Sequence, residues 1–179
     1  MPPPTLLPLR HDQRQHRPGG YSHLTGSRAG GQAEYVRAPF AEENLLKVPE
    51  EDDRHTDLDV LLLSDVLGTA WHACEMGEMG EGDTVTIWGA GPVGMLAAQC
   101  TQHRDAAKVI LIDQELYRLE FAERRLDPRT LVTLNGRQHK QQEGGVAKAV
   151  REILSHGPDV VIESVGFHHA VGKGGEEGA

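Results

Sequence analysis

Thr84-Val-Thr-Ile-Trp-Gly-Ala-Gly-Pro-Val-Gly94, then Met95-Leu-Ala-Ala-Gln-Cys100, and further on Lys108-Val-Ile-Leu-Ile-Asp113, form the stretch that decides the fold. It reads as a strand, a glycine turn, a helix and a second strand ending in an acid, the layout that binds a dinucleotide. Each piece has a separate physical job. Gly89 permits the tight turn, Gly91 lets a pyrophosphate approach the backbone, and Gly94 allows close helix–strand packing. The helix N-terminus, with Pro92 and Val93 in its first turn, faces the phosphate charge. Pro92 is tolerated there because a first-turn proline gives up only an amide that has no intrahelical acceptor. Asp113, nineteen residues beyond Gly94, closes an apolar run at a point where a carboxylate can accept from both ribose hydroxyls. That choice favours NAD over NADP.

Glycine-rich turns also serve ordinary tight connections, and 21 glycines make chance matches easy. The strand before, the helix after and the acid at the right distance make dinucleotide binding the favoured reading.

Composition narrows the alternatives. At 179 residues the chain holds one domain or two small ones, and 38% hydrophobic content allows a modest core. A formal charge of −9 with only 4% aromatic residues leaves no basic, stacking surface for nucleic acid. Cys74 and Cys100 are too far apart in sequence for a Cys-x-x-Cys metal site or a disulfide framework, which suggests a reduced, cytoplasmic setting. The first ten residues, interrupted by prolines, lack the apolar core of a signal peptide. The longest aliphatic run, Val60 to Leu63, cannot span a bilayer, so no membrane partner is expected.

Along the chain, residues 1–20 are rich in Pro, Arg, Gln and His and read as a disordered lead. Two strand-like pieces follow, Gln32-Ala-Glu-Tyr-Val-Arg37 and Leu45-Leu-Lys-Val48, as the terminal strands of a β domain over residues 21–56. Residues 57–80 are expected to be linking helices, with Leu58, Leu61, Leu62 and Val66 on one face and Gly68 breaking or bending the helical region near its middle. From 81 to 171 strands and helices alternate, with strands at 84–88, 108–113, 131–134 and 159–163 and a third helix near 145–155. The fold class is α/β: a partial doubly wound parallel sheet of about four strands. Residues 172–179 form a glycine-rich flexible tail.

Residues Tyr21 to about Val171 resemble the zinc-type medium-chain alcohol dehydrogenases, closest to the formaldehyde dehydrogenase-like branch. The matching text is Tyr21-Ser-His-Leu-Thr-Gly26, Gly30-Gly-Gln-Ala-Glu-Tyr-Val-Arg37, Leu63-Ser-Asp-Val-Leu67 with Thr69-Ala-Trp71, the glycine run at 89–94, and Gly157-Pro-Asp-Val-Val-Ile-Glu-Ser-Val-Gly-Phe-His168. The resemblance implies a GroES-like β domain carrying a catalytic zinc, followed by a Rossmann domain carrying NAD, with this chain truncated at both ends. It implies that Asp65 stands where the family places its third zinc ligand, that Thr69 lies near the nicotinamide, and that Arg118 lies beside the adenosine ribose. Small alcohols or aldehydes are the implied substrates.

The family's other two catalytic zinc ligands, a cysteine and a histidine, have no counterpart before Tyr21, and its four-cysteine structural zinc site is absent. His11 and His16 are five residues apart in a structureless lead. A catalytic zinc needs about three convergent protein ligands, so Asp65 alone would hold the ion weakly, and the chain by itself is not expected to retain zinc. Asp65 also reads as an acid near a helix start, favoured by capping and the helix dipole. His168 and His169 diverge on a helix and make a poor chelate, and His103, His139 and His156 read as solvated. Arg118, Arg124 and Arg125 read either as a phosphate patch or as a charged outer helix face. Trp71 and His72 read as cavity lining or ordinary packing.

Four strands supply the adenosine half of a dinucleotide fold and little of the nicotinamide half. The expected function is therefore a fragment of an NAD-dependent alcohol or formaldehyde dehydrogenase-like oxidoreductase. The alternative is a non-catalytic NAD- or ADP-ribose-binding remnant, or a mispredicted gene model, that associates with a full-length relative. Val160, Val161 and Ile162 are expected on an uncovered sheet edge that invites homo-oligomer formation.

Overall fold

The computed structural model describes residues 33–36, 38, 41–45, 47, 60–140 and 143–166. The chain divides into two compact units, residues 1–52 and 53–179.

In the first unit, residues 33–35 form a bend and Ala41–Asn44 form a single helical turn, α1, closed by the Leu45 amide donating to the Ala41 carbonyl at 2.9 Å. None of the described residues in the two expected strands, 33–36, 45 and 47, is in a strand. At these residues this corrects the expectation of two terminal strands of a β domain. A short extended segment holds its shape only through a ladder to neighbours, and two strands alone are marginal in water. Gln32, Arg37, Leu46 and Val48 lie outside the described residues, as do the lead, the tail and Tyr21–Gly26.

The second unit begins with α2, Val66–Met76. Then come β1 (Thr84–Trp88), α3 (Pro92–His103), β2 (Lys108–Asp113) and α4 (Leu116–Arg125). They are followed by β3 (Leu131–Asn135), the one-turn α5 (Gly136–His139), α6 (Gly145–Ile153) and β4 (Val160–Glu163). The four strands form one parallel sheet in the order β3-β2-β1-β4. Register puts Val85 beside Val109 and Val160, and Trp88 beside Ile112 and Glu163. The order reverses at β1: the chain adds β2 and β3 on one side, then crosses back to add β4 on the other. In open α/β sheets ligands bind outside the carboxyl ends of the strands at such a reversal.

Alternation along the strands builds two apolar layers. On one face Val85, Ile87, Val109, Leu111, Val160 and Ile162 meet Ala70 and Cys74 of α2, Ala97 and Ala98 of α3, and Leu119 and Ala122 of α4. On the other, Ile110 and Ile112 meet Val150 of α6, flanked by Trp88, Val132, Leu134, Val146 and Ile153. Each large aliphatic side chain so removed from water contributes about 1.5–3 kcal/mol. Small residues at the α3 contact let that helix lie close to the sheet. Both cysteines are buried and free, and burial pushes their thiols up from the ordinary range.

Two expectations are corrected here. Gly68 lies inside the first turn of α2 rather than breaking it; the interruption is the turn at residues 62–65. A glycine costs a helix only about 1 kcal/mol relative to alanine, too little to interrupt a helix anchored by the buried Ala70 and Cys74. Leu61 and Leu62 are exposed, so the expected apolar face with Leu58, itself outside the described residues, is not formed around them. At the sheet edge the expectation holds that β4 is outermost among the described strands; the side chains of Val160 and Ile162 are buried beneath α2 and its neighbours, and Val161 is 60% exposed. Beside it in register, the Thr86 hydroxyl is buried with no hydrogen-bond partner among the described residues.

Candidate functional site

The glycine turn follows β1 at the reversal point. Gly89 has φ +95°, a region that disfavours side chains, and its amide donates to the Ile112 carbonyl at 2.8 Å, pinning the turn to the end of β2. Gly94 is on the first turn of α3, where a Cβ would stand 1.7 Å from the Gly89 carbonyl oxygen and 2.7 Å from Ser164 Oγ. Between them Gly91 caps α3 with extended backbone, φ −75° and ψ −175°, and no side-chain cap. A Cβ on Gly91 would meet nothing within 4 Å. Pro92 occupies the first helical position, so the early amides of α3, including those of Val93 and Gly94, have no acceptor within the helix. The result is a rigid loop with open space and unsatisfied donors on one side.

Asp113 ends β2 and is 8% exposed. Its Oδ2 accepts from the Ala90 amide at 2.7 Å, inside the glycine turn, and its Oδ1 from the Glu115 amide at 2.7 Å. Arg118 Nη1 approaches Oδ2 at 3.4 Å, and Arg118 Nε donates to the Tyr117 hydroxyl at 3.0 Å. A carboxylate offers about four lone-pair directions, and this one spends two on short bonds and one on a long one. It thus retains capacity for a ribose hydroxyl directly, and for a second if Arg118, 41% exposed at its side chain, yields.

Two further parts of this neighbourhood escaped the sequence reading. Ser164, just after β4, donates from Oγ to the Trp88 carbonyl at 2.7 Å and lies 3.0 Å from the Gly89 carbonyl, while its amide donates to Trp88 at 2.8 Å. It ties β4 to the glycine turn. The signal was only its place one residue past the fourth strand. Arg137, after β3, forms an ion pair with Glu115. It is brought there by the pairing of Asn135 with Asp113, which no local pattern reveals.

Asp65 and Thr69 also come together. Asp65 is the N-cap of α2 but makes no side-chain cap bond; its Oδ1 accepts from Thr69 Oγ1 at 3.4 Å, and both residues are exposed. Trp71 Nε1 donates to Glu75 at 3.0 Å, with the Arg104 guanidinium 5.1 Å from the indole centroid and His103 nearby. His72 lies 3.7 Å from Glu75. Arg124 and Arg125 are exposed at the end of α4, Arg125 over Phe121, and of the three arginines considered from sequence only Arg118 reaches Asp113. Among the described residues no three His, Cys, Asp or Glu side chains converge as a metal site. The described donors therefore do not fit a catalytic zinc, whereas the turn and Asp113 fit a dinucleotide. His11, His16, His168 and His169 lie outside the described residues. Among these residues no helix is long and apolar enough to cross a membrane.

A sheet that reverses order at β1, with a glycine turn and a helix N-terminus at that point, defines an open α/β fold of the Rossmann type. No family profile matches the chain. It is 41% identical over 148 residues to a zinc-type alcohol dehydrogenase-like protein of Schizosaccharomyces pombe, covering 83% of this chain and 33% of that protein. A glutathione-independent formaldehyde dehydrogenase of Pseudomonas aeruginosa is 42% identical over 108 residues, 59% of this chain and 27% of that one. Among solved structures, an alcohol dehydrogenase from Thermus sp. ATN1 superposes with a TM-score of 0.70 at 32% identity, covering 85% of this chain and 42% of that chain. Over the part it spans, the chain is similar to zinc-type alcohol and formaldehyde dehydrogenase-like proteins. It spans about a third of the length of the curated relatives it matches.

Proposed function

We propose that this chain is an NAD-binding part of an alcohol or formaldehyde dehydrogenase-like oxidoreductase, and that it grips the ADP-ribose half of the coenzyme. The observation that carries the reading is the joining of Asp113 to the glycine turn through the Ala90 amide at 2.7 Å. That bond sets the ribose acceptor and the phosphate loop in one rigid frame. The amides at the start of α3 would receive the pyrophosphate, aided by the helix dipole. Gly91 would leave room for the phosphate oxygens, and Asp113 would accept from the ribose hydroxyls, with Arg118 beside them.

In this reading the four strands hold the adenosine end and contribute little to the nicotinamide. By the resemblance Thr69 would stand toward the nicotinamide end, and Asp65, which accepts a hydrogen bond from it, would occupy the place of a metal ligand. The substrate of the intact protein is a small alcohol or aldehyde, and its setting the cytoplasm. In this reading the chain does not by itself carry out zinc-assisted oxidation, because a catalytic zinc needs about three convergent ligands and the family resemblance supplies only Asp65.

Calorimetric titration tests the coenzyme reading: NAD and ADP-ribose are expected to bind with similar affinity. A much tighter NAD complex would contradict the partial-site account, and no binding of either would overturn it altogether. Metal analysis with an NADH-production assay on formaldehyde and small alcohols tests the rest. Stoichiometric zinc together with turnover would show an autonomous enzyme.

A further inference from the structure

The ribose edge of the site carries two arginines, each tied to a carboxylate. Arg118, from α4, meets Asp113, and Arg137, from α5, meets Glu115. Glu115 links the two pairs, because its amide donates to Asp113 Oδ1 at 2.7 Å while its side chain holds the Arg137 guanidinium. The turn carrying Arg137 is packed against the end of β2: a Cβ on Gly136 would lie 3.6 Å from Gln114 Cγ and 3.8 Å from the Asp113 carbonyl oxygen. Asn135 caps that turn by accepting from the Arg137 amide at 2.9 Å. Arg137 is therefore brought by the β2–β3 ladder to Glu115, two residues past Asp113, although it is remote from both in sequence.

We infer that Glu115 is a specificity-determining residue of this site: it keeps Arg137 paired, so that this guanidinium is not offered to a 2′-phosphate at the ribose edge. The inference rests on the coenzyme reading above. A planar guanidinium binds phosphate oxygens through two parallel hydrogen bonds and is a stronger phosphate partner than a point charge, so its commitment to Glu115 matters. Asp113 disfavours a 2′-phosphate by repulsion, and Glu115 adds a second negative charge while withholding the cation that would offset both. Glu115 is a positioning residue in this account, acting through Arg137.

The test is a calorimetric comparison of ADP-ribose with its 2′-phosphate derivative on the full chain. Glu115→Gln keeps the size and removes the charge; it is expected to move the affinity ratio about tenfold toward the 2′-phosphorylated ligand. Adding Arg137→Ala to that variant is expected to return the ratio to its starting value, which a general loosening of the loop would not do. The gain should shrink as salt is raised. Should Glu115→Gln leave the ratio unchanged, or the double variant keep the gain, the inference fails while ADP-ribose binding stands. Failure of the wild-type chain to bind ADP-ribose would instead remove the coenzyme reading and this inference with it.

Discussion

A Cβ on Gly94 would stand 1.7 Å from the carbonyl oxygen of Gly89, so the first turn of α3 and the end of β1 are as close as backbones can lie. The obstacle is backbone rather than a flexible side-chain tip, and the Gly89 amide's bond to the Ile112 carbonyl helps hold that backbone in place. Gly94→Ala is expected to destabilise the fold by about 3 kcal/mol or more and to lower Tm by about 10 °C or more in a thermal melt. A melt within 2–3 degrees of wild type, taking about 4 °C per kcal/mol as the scale, would mean the contact is looser than described.

Gly91→Ala should behave in the opposite way. Its backbone lies at negative φ and its Cβ would enter open space, so stability is expected to stay within about 0.5 kcal/mol of wild type. The added methyl projects where phosphate must pass, and ADP-ribose affinity is expected to fall about tenfold or more. Stability and binding measured on the same two glycine variants thus separate a packing glycine from a ligand-approach glycine.

Thr86 offers a stabilising change. Its hydroxyl is buried with no partner among the described residues, on a strand position where valine has the same shape and strong β preference. Thr86→Val is expected to add about 1 kcal/mol and raise Tm by several degrees. A lower Tm would show that the hydroxyl has a partner.

Acid sensitivity should follow two carboxylates. Hydrogen bonds from the Thr84 amide and hydroxyl to Asp159, across the start of β1 and β4, hold its carboxyl below the usual range. Hydrogen bonds from the Arg129 side chain and amide, aided by its charge, lower Asp127 to about 2. A lowered folded-state value means that the stabilisation is present above the unfolded value near 3.9 and is lost as pH falls through the folded one. For Asp127 that window runs from about 4 to about 2. Urea unfolding across this range should show stability falling with acid. Asp159→Asn should be less stable at neutral pH and should have a shallower acid limb; an unchanged limb would deny the Thr84 bonds their role.

What was legible in the sequence were features set by neighbours along the chain. The four strands, the helices between them and the turn at 89–94 all depend on local period and on glycine. What was not legible depends on pairing at a distance. Arg137 reaches Glu115 only because β3 lies beside β2, and Ser164 reaches Gly89 only because β4 lies beside β1. The strand expectation failed at the described residues 33–36 for the same reason, since alternation proposes a strand but only a partner makes one. Gly68 failed differently: a local breaker signal was overridden by the tertiary anchoring of Ala70 and Cys74.

The central claim is that Asp113, fixed to the glycine turn, holds the adenosine ribose. Titration of ADP-ribose into the wild-type chain and into Asp113→Ala tests it most directly. The account predicts binding by the wild type and a loss of about tenfold or more in the variant, the cost of charge-assisted bonds to two hydroxyls. Equal affinity in the two, or no binding by a folded wild type, would contradict it.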